Sequence, residues 1–117
     1  MKKFFVLTAL VAIVFVFANC NPSKKAMATA VPKLTYENNL QIVIMANCVP
    51  CHIPAKGGNK KPYDNYANVK TDIDEMIRRI ELNPGDRAFM PFRKEAKLSD
   101  STIAVFKQWR DDGLLEK

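Results

Sequence analysis

The side chains that most often bind metals or act as nucleophiles are scarce in this sequence. Its 117 residues include one histidine, His52, and three cysteines, Cys20, Cys48 and Cys51. A structural zinc site needs four ligands, and residues 21–117 offer only two cysteines and the histidine, so zinc would also need a carboxylate. The sequence also lacks a basic patch interleaved with aromatic side chains, so no nucleic-acid partner is expected.

Aromatic residues and long apolar runs are few as well. Hydrophobic residues make up 48% of the chain and aromatic residues 9%, and much of the apolar content lies in the single run from Phe4 to Ala18. The remaining sequence is polar for a domain of its size. Because small domains bury little surface, they often need a cofactor or a cross-link at their centre.

The apolar run near the N-terminus is the only candidate for a membrane segment. It follows Lys2 and Lys3 and spans fifteen residues, whereas a transmembrane helix needs about twenty. This pattern predicts a signal peptide over residues 1–19. The end of the run, followed by Cys20, resembles a bacterial lipoprotein signal, which implies a lipidated Cys20 and a membrane anchor. An ordinary cleaved signal and a short uncleaved anchor are the alternatives, because Phe17 and Asn19 depart from the usual residues at the cut.

Residues 20–33 show no apolar periodicity and contain two prolines, so they are predicted to form a flexible tether. The folded domain is then expected over residues 34–117. The whole chain carries a net charge of +6. Lys2 and Lys3 supply two of those charges, which leaves +4 after removal of the signal.

The motif Cys48-Val49-Pro50-Cys51-His52 concentrates the rare side chains of the domain in five positions. Two cysteines separated by two residues and followed by histidine are typical of covalent attachment of a c-type haem. Each thiol would form a thioether bond, and the neutral imidazole would bind the iron. A thiol redox pair and a zinc site are the alternatives; the first would be expected after a strand, and no alternating strand pattern precedes Cys48.

Cysteine usage agrees with export. A free thiol pair would become a disulfide in an oxidising compartment. If Cys48 and Cys51 hold haem and Cys20 holds lipid, no cysteine is left over.

Met90 is the leading candidate for a second iron ligand. It lies in the non-helical stretch Phe89-Met90-Pro91, and proline stiffens the chain beside it. A thioether is a soft ligand that raises the reduction potential. Met76, Met27 in the tether, a lysine or an open position are the alternatives, and a role for Met90 in filling the core is another. With one histidine, the chain cannot supply two imidazole ligands.

The domain sequence reads as helices joined by loops, which predicts an all-α fold. The first helix is predicted over Tyr36–Asn47 with Thr35 as its N-cap, and Met45 is assigned to the core. The glycine-containing segment from Ile53 to Pro62 is predicted to be a loop. It would either follow one haem edge, where glycine backbones approach the porphyrin closely and a loop carbonyl accepts the His52 Nδ1 proton, or be a plain connector. The remaining expected elements are a short helix capped by Asn65, a helix capped by Thr71 or Asp72 and carrying Ile73, Met76, Ile77 and Ile80, and a last helix from Ser99 to Gly113 that crosses the first.

In order, these features resemble a class I bacterial cytochrome c domain of the small, monohaem type, over about Leu34 to Leu115. The resemblance implies three to five helices around one covalent heme c. It also implies thioether bonds at Cys48 and Cys51, His52 as the proximal ligand and Met90 as the distal ligand. Haem propionates in such proteins meet basic and tyrosine side chains, for which the candidates are Arg79, Arg87 and Tyr66.

The resemblance implies an electron carrier, not an enzyme, on the periplasmic side of a bacterial membrane. Two axial ligands leave no open iron position for a substrate. The alternatives are a haem subunit of a larger membrane oxidoreductase, a haem sensor or enzyme with an open distal site, and a haem-free thiol or metal protein. An acidic redox partner is predicted if lysines ring the haem edge, and an ordinary solubilising surface is the alternative. The lysines in question are Lys56, Lys60, Lys61, Lys94 and Lys97.

Overall fold

The computed structural model describes residues 31–92 and 94–117. Within these ranges the chain forms three α-helices and no strand, which confirms the all-α prediction. We name them α1 (Gln41–Asn47), α2 (Tyr66–Glu81) and α3 (Asp100–Asp111). A π-helical segment, Tyr36–Leu40, runs directly into α1, and a short 3₁₀ turn, Pro54–Lys56, lies between α1 and α2.

Polar side chains cap the helical segments where the sequence predicts them. Thr35, Asn65 and Ser99 each have extended backbone geometry and accept a hydrogen bond from the amide three residues later. These contacts satisfy amide groups that have no partner within the helix. The first helical segment therefore begins and ends as predicted, between Tyr36 and Asn47.

The two helices predicted after Asn65 are one continuous helix, α2, so the prediction of a second N-cap at Thr71 or Asp72 is wrong. Thr71 Oγ1 donates to the Ala67 carbonyl inside the helix. Asp72 instead accepts hydrogen bonds from side chains outside the helix. No glycine or proline interrupts α2, and extending an existing helix is easier than starting a new one.

The helices pack around an apolar core. Leu40, Val69, Phe106 and Trp109 have no exposed surface. The Trp109 ring centre lies 6.3 Å from that of Tyr36, so α3 contacts the first helical segment as predicted. The other buried hydrophobic residues of this core are Tyr36, Ile44, Ile53, Tyr63, Ile73, Met76, Ile77, Ile80 and Ile103.

Met45 does not belong to this core, which corrects its sequence assignment. Its side chain is 40% exposed. Leu40 and Ile44, four residues apart, both point inward. The next residue along a helix is turned by about 100°, and this places Met45 on the outer flank of α1.

The two ends of the folded chain are joined by what we call the terminal seam, formed by residues 34–36 and 109–115. The Tyr36 amide donates to the Leu115 carbonyl at 2.8 Å, and the Trp109 indole N–H donates to the same oxygen at 2.7 Å. The Tyr66 hydroxyl donates to the Leu114 carbonyl at 2.9 Å. Gly113, where the sequence predicts the end of the last helix, has a φ of +103°. A glycine adopts this left-handed conformation easily, so the chain can leave α3 there.

The predicted signal peptide, the predicted lipidation site Cys20, and residues 20–30 of the predicted tether lie outside the described residues. Val31 to Lys33 are exposed. The Leu34 amide donates to Asp112 at 2.7 Å and so joins the start of the domain to the end of α3. Among the described residues, no helix has the length and apolar character to span a membrane.

Candidate functional site

One cavity brings together the residues that the sequence singles out. Its volume is about 580 Å³, which falls within the roughly 300–1,000 Å³ of small-molecule and cofactor sites. Cys48, Cys51, His52 and Met90 all line it. Further apolar lining comes from Val49, Met76, Ile80, Pro91, Leu98 and Phe106.

The Cys48–His52 motif forms a tight loop at the end of α1. The Cys48 amide donates to the Ile44 carbonyl at 2.8 Å, and the His52 amide donates to the Cys48 carbonyl at 3.1 Å. The following segment folds back onto the motif, because the Lys60 amide donates to the Cys51 carbonyl and the Tyr63 amide donates to the His52 carbonyl. The motif and residues 53–63 therefore act as one hydrogen-bonded unit.

Gly58 allows this folding back. A Cβ at residue 58 would lie 2.3 Å from the Pro50 carbonyl oxygen and 2.7 Å from that of Cys51. Only a residue without a side chain fits against the motif at this distance. Gly58 therefore lies directly against the backbone of the motif.

The His52 ring is held from two sides. Its Nδ1 lies 2.7 Å from the Lys61 carbonyl oxygen. A carbonyl only accepts hydrogen bonds, so in the neutral imidazole Nδ1 carries the proton and Nε2 has the lone pair that can bind a metal. This confirms the prediction of a loop carbonyl for His52 and identifies it as that of Lys61. The Tyr63 ring stacks on the imidazole, with the ring centres 4.6 Å apart and the planes 13° from parallel.

Cys48 and Cys51 are free thiols in the structure, the first partly buried and the second exposed. Burial raises the pKa of the Cys48 thiol to about 11. Thiol redox centres have lowered pKa values, because the thiolate is the reactive form. The raised pKa therefore disfavours the thiolate form of Cys48. Within residues 31–92 and 94–117, no cluster of three His, Cys, Asp or Glu side chains forms a metal site.

Met90 reaches the cavity from the loop between α2 and α3. Its amide donates a hydrogen bond to the Arg79 carbonyl at 3.2 Å. Because Arg79 lies in the last turn of α2, its carbonyl has no partner within the helix. Its neighbour Phe89 is buried. The end of α2 and a buried ring therefore hold the Met90 backbone beside the cavity.

The other methionines differ in their access to this cavity. Met76 lies on α2, is buried, and also lines the cavity. Met45 is not among the lining residues of the described structure. Met27 lies outside the described residues. Of the alternatives to Met90 that the sequence left open, Met76 is the methionine that shares the cavity with it.

Charged side chains line part of the same cavity. Three of the five lysines singled out in the sequence are among them, Lys60, Lys61 and Lys94. Of the propionate candidates, Arg79 lines the cavity and pairs with Glu75 at 2.6 Å. Among the described lining residues there is no Tyr66, whose hydroxyl belongs to the terminal seam, and no Arg87.

The sequence pattern misses Tyr63 and Asp72 as parts of the site. Tyr63 follows a loop without periodicity, and Asp72 has the sequence context of a helix cap. Burial opposes ionisation of the Asp72 carboxyl group, but hydrogen bonds from Lys61 and Tyr63 outweigh it, so its pKa is lowered. The only feature of the sequence that could have indicated a role for Asp72 in the site is its place beside the apolar stripe of α2.

The donor set suits a covalently held haem. Two thiols, an imidazole with a free Nε2 and a thioether line one cavity, and these are the groups that bind the edge and the iron of such a cofactor. The apolar walls match the body of a porphyrin, and the basic lining residues Lys60, Lys94 and Arg79 match its carboxylates. Comparison of the chain with protein-family models, curated proteins and solved structures finds no match.

Proposed function

We propose that this protein is a monohaem c-type cytochrome that transfers single electrons on the periplasmic side of a bacterial membrane. Cys48 and Cys51 would hold one heme c covalently, and His52 and Met90 would bind its iron. The observation that carries the proposal is the fixed His52 ring: the attachment motif and an imidazole oriented by the Lys61 carbonyl line one apolar cavity.

The cofactor would supply a one-electron iron couple. The chain's own residues would orient the ligands and limit water around them. The hydrogen bond from His52 Nδ1 fixes the tautomer and makes the ring a better electron donor. Phe106 is fully buried and Met76 nearly so, and such apolar walls disfavour the more highly charged ferric state.

The proposed partner is a redox protein with an acidic surface. Lys60 and Lys94 line the cavity and are exposed, so they would attract such a partner to the site where electrons leave. The rate of electron transfer should then fall as ionic strength rises. A lipid on Cys20 would keep the domain at the membrane, connected through the tether of residues 20–33.

Haem content tests the proposal directly. Full-length protein should be produced with haem-attachment machinery and assayed by pyridine haemochrome and by intact mass. We expect one haem per chain, lost in Cys48→Ala together with Cys51→Ala. Cys20→Ser is the matched control, because it should keep the haem and lose only the lipid. A matured chain with no haem would refute the proposal.

The spectrum of methionine variants tests the second ligand. Ferric protein with a sulfur–iron bond shows a weak band at the red end of the spectrum, and Met90→Ala should abolish it. Met76→Ala should keep it, as should Met45→Ala on the exposed flank of α1. Loss of the band only in Met76→Ala would assign the ligand to α2 instead.

The rate of carbon monoxide binding distinguishes an electron carrier from a haem sensor or enzyme. A carrier with both axial positions filled should bind carbon monoxide slowly as ferrous wild type and rapidly as Met90→Ala. Rapid binding by the wild type would favour an open distal site. Co-purification of the haem-loaded chain with a multi-subunit membrane complex would favour a subunit role over a free carrier.

A further inference from the structure

We propose that Asp72 is a positioning residue that sets the orientation of the His52 ring without touching it. This inference rests on the proposed function, because its consequence is measured at the haem iron. The proposal concerns a group that we call the Asp72 clamp: the Asp72 carboxylate, the Lys61 ammonium group and the Tyr63 hydroxyl.

Both oxygens of the Asp72 carboxylate are engaged. Lys61 Nζ lies 2.5 Å from Oδ1, and the Tyr63 hydroxyl donates to Oδ2. The Asp72 side chain is 15% exposed, so the carboxylate is largely shielded from water. It projects from the middle of α2, a continuous helix with five buried residues, and therefore belongs to a rigid part of the molecule.

The two residues that Asp72 holds are also the two that hold His52. The Lys61 carbonyl accepts the Nδ1 proton at 2.7 Å, and the Tyr63 ring lies against the face of the imidazole. A hydrogen bond in the ring plane and a stack on its face together restrict rotation of the ring. Pro62, between the two residues, limits the backbone further. Asp72 on α2 thus fixes the orientation of the His52 ring indirectly, because it holds Lys61 and Tyr63, which contact the ring.

The protonation states fit this arrangement. Burial raises the pKa of the Tyr63 phenol, and its hydrogen bond to Asp72 raises that pKa further. The phenol therefore stays protonated and acts as the donor. The carboxylate stays ionised at neutral pH, which makes both of its hydrogen bonds charge-assisted.

Two explanations of an effect on the reduction potential, a loosened clamp and a simple charge effect, predict opposite changes when Lys61 is neutralised. A well-formed Nδ1–H bond makes the imidazole more basic and so stabilises ferric iron. Loosening any member of the clamp should weaken that bond and raise the potential. A charge effect alone would raise the potential when Asp72 is neutralised and lower it when Lys61 is neutralised.

The experiment compares Asp72→Asn, Lys61→Leu and Tyr63→Phe in the matured, haem-loaded protein by redox titration. We expect all three potentials to rise. Tyr63→Phe keeps the stacked ring and changes no charge, so it reports on the clamp even if the charge variants load haem poorly. Glu75→Gln removes another carboxylate of the cavity lining, one that is paired with Arg79 and lies outside the clamp. It gives the size of the change in potential when a lining carboxylate is lost and the clamp is kept, and the change in Asp72→Asn should be larger.

The orientation of the ring provides a second readout. The hyperfine-shifted NMR signals of the His52 ring should move in the three clamp variants and stay in place in Glu75→Gln. A lowered potential in Lys61→Leu, together with unchanged potential and ring signals in Tyr63→Phe, would overturn the inference. Failure of the wild type to load haem would instead overturn the proposed function, so the two failures are distinguishable.

Discussion

The two ends of α2 contact regions of opposite character. Near its start, Tyr66 joins the terminal seam, where Trp109 is fully buried and its indole N–H is paired. Toward its end, Met76 and Ile80 line the cavity, beside a cysteine loop whose Cys51 is exposed. The chain completes its own packing at the seam and leaves space at the other end. The difference indicates that the seam stabilises the polypeptide, whereas the cavity end is where the proposed haem would bind.

Changes at the two ends of α2 should have different consequences. A change in the seam should lower the free energy of unfolding and leave the properties of the iron site unchanged in the protein that remains folded. A change at the cavity end should alter haem loading or potential. The variants below separate these outcomes.

Trp109→Ala should have the largest effect on stability. It removes a side chain with no exposed surface that contacts Tyr36 and Tyr66, and such truncations cost about 3–5 kcal/mol. Urea unfolding followed by far-UV circular dichroism measures the loss. The control is Met45→Ala, on the exposed flank of α1, which should change stability by less than about 0.5 kcal/mol. If Trp109→Ala lowered the free energy of unfolding no more than Met45→Ala does, the seam would not be a main source of stability.

Gly58→Ala should affect both stability and haem loading. The added methyl group would meet the Pro50 and Cys51 carbonyl oxygens at less than 3 Å, and overpacking of this kind costs about 1–3 kcal/mol. Because the displaced backbone carries the attachment motif, the fraction of chains with haem should fall. Intact mass spectrometry measures that fraction.

Gly85→Ala is the matched control for Gly58→Ala. Gly85 has a φ of +93°, and a Cβ added there would have no neighbouring atom within 4 Å, so the substitution costs only the left-handed backbone penalty of about 1–2 kcal/mol. Its haem loading should equal that of the wild type. Equal loading in the two glycine variants would contradict the role given to Gly58.

Tyr66→Phe sharpens the contrast with Tyr63→Phe. It removes the hydrogen bond to the Leu114 carbonyl in the seam, which should cost about 0.5–1.5 kcal/mol of stability. The reduction potential should stay that of the wild type, whereas Tyr63→Phe should raise it. A changed potential in Tyr66→Phe would show that the seam and the iron site are coupled.

The smallest expected effect is the contribution of Asp72 to acid stability. Because its pKa is lower in the folded protein than the ordinary value of about 3.9, its contribution is complete above that ordinary value and is lost as pH falls through the folded pKa. The unfolding free energy of the wild type should therefore fall more steeply below about pH 4 than that of Asp72→Asn. Parallel acid profiles would show that Asp72 has an ordinary pKa in the folded state.

Local sequence signals predicted most of the helix boundaries. Thr35, Asn65 and Ser99 cap helices because a short polar side chain before an apolar stripe satisfies free amides without any tertiary contact. The same local logic failed at Asp72, which sits in a continuous helix and binds side chains from the loop before it. Its partner Tyr63 belongs to that loop, and no periodic pattern relates the two residues.

In the candidate site, too, some residues are predicted by local sequence and others are not. The spacing of Cys48, Cys51 and His52 predicts haem attachment, because covalent attachment requires fixed positions along one turn of chain. The assignment of Met90 came from its proline neighbour, and the structure places Met90 and Met76 on the same cavity. Choosing between them requires the ligand variants, since both thioethers belong to the lining.

By itself, the sequence determined the helical class, the helix caps and the spacing of the Cys48–His52 motif, and it predicted a loop carbonyl at His52. These depend on neighbours within a few residues, where spacing fixes geometry. Only the tertiary structure identified that carbonyl as the one of Lys61, formed the terminal seam and brought Asp72 to the residues that hold His52. Those contacts join segments that are separated along the chain, and their partners are selected by packing of the whole domain.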